Sequence, residues 1–86
     1  MRNAYRVKFY FVNTGFDDLI TDARRLADRL GFDGDEMIEA VCKVYDKSLL
    51  YPPVKNRRGW FLKVFEEKLG EARYDLLEFA RKKKNM

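Results

Sequence analysis

Spacing of the apolar residues divides the chain into a short N-terminal segment and a series of longer ones, punctuated by Gly and Pro. From Ala4 to Val12 the pattern alternates: Tyr5, Val7, Phe9 and Phe11 share one face, with Arg6, Lys8, Tyr10 and Val12 on the other. A period of two in aromatic and β-branched residues predicts a strand. It is the one strand the pattern predicts, and a lone strand leaves its backbone N–H and C=O groups unpaired. The simplest partner is the same strand of a second chain.

Everything beyond Gly15 reads as helix. Asn13-Thr14-Gly15 breaks the strand, and Thr14 with Asp17 has the spacing of a capping box. Phe16, Leu19, Ile20, Ala23, Leu26, Ala27 and Leu30 recur at helical spacing, and Gly31 stops them. Asp33 and Glu36 cap a second helix, whose apolar face carries Met37, Ile38, Val41, Cys42, Tyr45 and Leu49. Leu50-Tyr51-Pro52-Pro53 forms an extended corner. Asn56 then opens a stripe of Trp60, Phe61, Val64, Phe65 and Leu69. Gly70 either ends that helix or sits inside a longer one, since Ala72, Leu76, Phe79 and Ala80 keep its phase. The expected fold is mainly α, with one N-terminal β-strand paired in a dimer ribbon and three or four amphipathic helices behind it. Residues 1–86 read as one small domain, a strand–helix–helix unit over 1–49 and a C-terminal helical extension over 50–86.

Composition narrows the chemistry. The chain has 86 residues, 47% hydrophobic and 37% charged, which fits a folded soluble domain. No apolar run approaches a membrane span, and the reading is of a cytoplasmic protein. With one cysteine and no histidine, an intrachain disulfide, the usual zinc sites and His-based catalysis all fall away. Cys42, on an apolar face, reads as a small core residue. Of Asp17, Asp18, Asp22, Asp33, Asp35 and Glu36, the run Asp33-Gly34-Asp35-Glu36 lacks calcium-loop spacing, no paired-carboxylate signature fits, and helix capping explains Asp17, Asp33 and Glu36. The expectation is therefore a non-enzyme with no catalytic residue, metal or cofactor.

Charge is unevenly placed. The net +4 resolves into +3 over residues 1–13, −4 over 14–36, zero over 37–54 and +5 over 55–86. Basic ends around an acidic middle point to a polyanion partner or, more plainly, to solubility.

The first half resembles the ribbon-helix-helix family of DNA-binding proteins over roughly residues 5–48. The likeness rests on the alternation Arg6-Val7-Lys8-Phe9-Tyr10-Phe11, the helix from Leu19 to Leu30, the Gly31-Phe32 corner and the helix from Asp35 through Tyr45. It implies a homodimer whose paired strands enter the major groove of duplex DNA, with Arg6, Lys8 and Tyr10 as readers. Val7, Phe9 and Phe11 would face the dimer core. The chain departs from the family at Asp33-Gly34-Asp35-Glu36, where a small polar residue usually lets backbone N–H groups hold a phosphate. Residues 54–65 are similar to a helical element of plasmid and phage replication initiators, in Asn56-Arg57-Arg58-Gly59-Trp60-Phe61. Both likenesses point to DNA transactions, in transcription regulation or DNA replication, on a mobile or extrachromosomal element.

Lys55, Arg57 and Arg58 are candidate contacts to a nucleic-acid backbone, beside a Trp60 read as buried. Gly59 reads as a place where another helix approaches closely. Arg81, Lys82, Lys83 and Lys84 would add sequence-independent attraction to DNA or serve as a solvated tail. The alternative to a DNA-binding regulator is a helical protein–protein interaction module of a DNA replication or regulatory assembly, with a protein partner in place of DNA.

Overall fold

The computed structural model describes residues 2–53 and 55–84, with side chains from 5 to 53 and from 55 to 82. Its elements are α1 (Arg2–Thr14), a single 3₁₀ turn (Asp17–Leu19), α2 (Ile20–Leu30), α3 (Gly34–Leu50) and α4 (Arg57–Lys84). No strand occurs among the described residues.

The N-terminal strand expected from the alternation, and with it the dimer ribbon, is therefore corrected: the segment is helix α1. The physical reason lies in its composition. Tyr5, Val7, Phe9, Tyr10, Phe11 and Val12 are so densely apolar that periods of two and of 3.6 both fit. A helix satisfies its backbone internally, which one strand cannot do. Val7 and Phe11, four apart, are buried, whereas Tyr5 and Phe9, placed by alternation on the same face, point outward. Thr14 is corrected too. Its hydroxyl donates to the carbonyls of Tyr10 and Phe11 at 2.8 and 3.2 Å, closing α1 instead of capping the next helix.

Gly15 ends α1 at φ +80, donating to Val12 O at 3.1 Å while Phe16 N–H reaches Phe11 O at 2.9 Å. This pair of bonds is a Schellman closure, and Gly31 repeats it after α2 with bonds to Asp28 O and Ala27 O. The capping box of α3 is present in full: Asp33 Oδ1 accepts from Glu36 N–H at 2.9 Å, and Glu36 Oε1 accepts from Asp33 N–H at 2.8 Å. Asn56 caps α4 through Oδ1, which accepts from Gly59 N–H at 2.9 Å. The space beside Gly59 is filled by this Asn56 side chain, 2.6 Å from where a Cβ would stand, rather than by another helix. Through Gly70 α4 is one continuous helix.

Ion pairs fix the directions. Arg73 with Glu36 and Lys47 with Glu67 set α4 antiparallel to α3. Arg57 and Arg58 with Asp18 and Asp22, then Arg73 with Gly31 O, set α4 parallel to α2. The core lies between all four helices. Phe61 sits at its centre, its ring 4.8 Å from Phe16, 5.2 Å from Phe65 and 6.1 Å from Phe11. Val41, Val44, Leu69 and Ala72 complete it, so α4 belongs to the same core as α1–α3. No helix among the described residues is long and apolar enough to cross a membrane.

Candidate functional site

The three residues expected to read DNA do not converge. On a helix, two positions are about 200° apart, so Lys8 points away from Arg6 and Tyr10. Arg6 holds Asp35 at 3.0 Å and ties α1 to the start of α3. Tyr10 is half-buried against the core, edge-on to Phe9 at 5.4 Å. Lys8 is exposed.

At the start of α4, two candidate backbone contacts are occupied within the fold. Arg57 donates to Asp18 Oδ2 and to Gly15 O, each at 2.7 Å, with its guanidinium 5.0 Å from the Phe16 ring centre. Arg58 Nε donates to Asp22 Oδ2 at 2.8 Å. That hydrogen bond holds the Asp22 carboxyl below the usual carboxylate range and raises Arg58. Lys55 is exposed in the connection before α4. At the other end, Arg81 pairs with Glu78 at 3.4 Å and Lys82 is exposed, while the Lys83 and Lys84 side chains lie outside the described residues. Trp60 is half-buried against the core.

Among the solvent-facing surfaces of the described residues, two combine a defined geometry with an excess of basic side chains. The first is the outer face of α1, where Tyr5, Phe9 and Val12 follow one another at i, i+4 and i+7 with exposures of 85%, 61% and 50%. Arg6 and Lys8 border it, and α1 contains no acid. A helix apolar on two faces is usually covered on both. The periodicity of two concealed this stripe by assigning Phe9 to the core.

The second surface is an open groove of about 570 Å³ between α2 and α4, lined by Asp22, Arg25, Leu26, Arg29, Arg58, Leu62, Lys63 and Glu66. Its four bases outnumber its two acids. Of the four bases that line the groove, Arg58 alone stands out in the sequence. The available signal was Arg25 and Arg29 at i, i+4, bordering the apolar stripe of their helix.

Cys42 is half-buried, and burial raises its thiol, which disfavours the nucleophilic thiolate. Among the described residues there is no group of three or more Cys, Asp and Glu arranged to hold a metal. Comparison with protein-family models, curated proteins and solved structures finds no match to this chain.

Proposed function

We propose that the protein is a helical protein–protein interaction module, of the kind that joins a DNA replication or regulatory assembly. The observation that carries this reading is the exposed stripe Tyr5–Phe9–Val12 on α1. Large aromatics standing in water at helical spacing form a docking face. Its borders select the partner: Lys8, exposed with no acid on α1 beside it, favours an apolar helix bordered by Asp or Glu, while Arg6 on the other border is held by Asp35. The basic end of α4 and the net +4 fit a setting near DNA. Nothing in the reading calls for catalysis, since the chain has no histidine and a thiol raised by burial.

The test uses a synthetic amphipathic helix with Leu at i, i+3, i+4 and i+7 and Glu along both borders. Titration calorimetry should detect binding to the wild-type protein and at least tenfold weaker binding to Phe9→Asp, with far-UV circular dichroism unchanged. Equal binding by the two proteins overturns the reading. A wild-type dimer in sedimentation that Phe9→Asp dissociates would make a second copy the occupant and also overturn it.

A further inference from the structure

The groove between α2 and α4 uses none of the residues of the α1 face and stands or falls separately. Arg25 and Arg29 lie one turn apart on α2, about 6 Å along its axis; both are exposed, Arg25 adds its charge to that of Arg58 in lowering the Asp22 carboxyl, and neither makes a close ion pair among the described residues. Lys63 faces the same groove from α4, exposed and likewise without a close ion pair among the described residues. Arg58 commits Nε to Asp22 and keeps its two Nη groups for another acceptor. Asp22 is thereby neutralised, which leaves Glu66 as the opposing charge. Arg25, Arg29 and Lys63, from two helices around Leu26 and Leu62, thus face the open groove with no close ion pair among the described residues.

We propose that this groove binds the phosphodiester backbone of a nucleic-acid duplex. The spacing of Arg25 and Arg29 is close to the step between successive phosphates along one strand, and guanidinium groups bind phosphate with paired N–H donors. The lining contains no aromatic ring on which an unpaired base could stack, so single strands gain nothing there beyond charge. Contacts to phosphate carry no sequence information, so this binding is sequence-independent and strongly sensitive to salt.

The experiment is fluorescence anisotropy with a labelled 20-base-pair DNA duplex of mixed sequence between 50 and 200 mM NaCl. Three phosphate contacts give a log–log slope of about −2.7 and weaken binding by about 40-fold over that range. Arg25→Gln/Arg29→Gln/Lys63→Gln should remove most of that slope, and Lys63→Gln alone about 0.9 of it. The control Lys8→Gln/Lys55→Gln/Lys82→Gln removes the same charge from outside the groove and should leave most of the slope in place. A second duplex of unrelated sequence should bind within about threefold. No binding at 50 mM, equal losses in the two triple variants, or tighter binding to a single strand of the same length overturns the proposal. Binding to anionic vesicles that matches the duplex at equal phosphate also overturns it, by making the headgroup the ligand. Loss of peptide binding in Phe9→Asp leaves all of these outcomes unaffected.

Discussion

Arg73 and Glu36, 37 residues apart, meet through two hydrogen bonds, Nε to Oε2 at 2.7 Å and Nη2 to Oε1 at 3.1 Å. The same guanidinium donates to Gly31 O at 2.6 Å and lies 4.2 Å from the Phe32 ring centre. Glu36 is the one buried charged side chain among the described residues, and it also completes the capping box of α3. The end of α2, the start of α3 and the middle of α4 are thus joined at one guanidinium–carboxylate pair.

A pH dependence follows. The Arg73 hydrogen bond outweighs desolvation and holds Glu36 below the ordinary glutamate range. A folded-state value below the unfolded one stabilises the fold above the unfolded value of about 4.3 and loses that contribution as pH falls through the folded value. Thermal melts of the wild type should therefore fall in Tm from about pH 5 downward, beyond what Glu36→Gln shows over the same range. Parallel curves for the two proteins would refute the linkage. Arg73→Gln should lower Tm at pH 7 by more than Asp33→Ala, whose lost cap costs about 1 kcal/mol.

The cap of α4 makes a prediction whose size depends on background. A Cβ on Gly59 would stand 2.6 Å from Asn56 Nδ2 and displace the capping side chain. Gly59→Ala in the wild type should therefore gain little or no stability, the lost cap of about 1 kcal/mol offsetting alanine's better helix propensity. Asn56→Ala should cost about 1 kcal/mol by itself. With the cap already absent, Gly59→Ala should become stabilising by up to about 1 kcal/mol. Urea titrations of the four proteins decide it, and additive effects would dismiss the cap as the reason for the glycine.

Phe61 contributes more to the core than its neighbours, since its ring meets Phe11, Phe16 and Phe65 and is fully buried. Phe61→Ala should cost about 3–5 kcal/mol, most of the margin of a domain this small. Loss of the cooperative urea transition at 37 °C is the expected result. By contrast, Trp60→Phe, at a half-buried neighbour, should keep that transition.

Strand and helix readings of the N-terminal segment separate in one pair of substitutions. Alternation puts Val7 and Phe9 on one face, so both changes to Asp should unfold a protein built on a ribbon. In α1 Val7 is 3% exposed and Phe9 faces solvent. Val7→Asp buries a charge without a partner and should cost several kcal/mol. Phe9→Asp should leave Tm within a few degrees of the wild type.

These contrasts show which parts of the fold local sequence could disclose. The stop at Gly31, the Asp33–Glu36 box and the Asn56 cap are complete within a few residues, and each is present as read. α1 alternates like a strand because a segment apolar on two faces carries both periods. Its second face becomes meaningful only when one knows that nothing in the described residues covers it. The charge segregation was visible, but its destination was not. Asp18 and Asp22 in the acidic stretch receive Arg57 and Arg58 of the basic one, so part of what resembled a polyanion site is the molecule's own complementarity. Arg73 with Glu36 depends on the antiparallel passage of α4 along α3, which no spacing in the chain encodes.

Helix α2, only 11 residues long, is fastened to α4 at both extremities: Arg58 grips Asp22 in its first turn and Arg73 grips the carbonyl of Gly31 just past its last. A helix held this way has no loose end from which to unzip. Its amides should exchange hydrogen with solvent in one concerted opening, at a common rate set by release of both guanidinium anchors, instead of in the graded order of a fraying terminus.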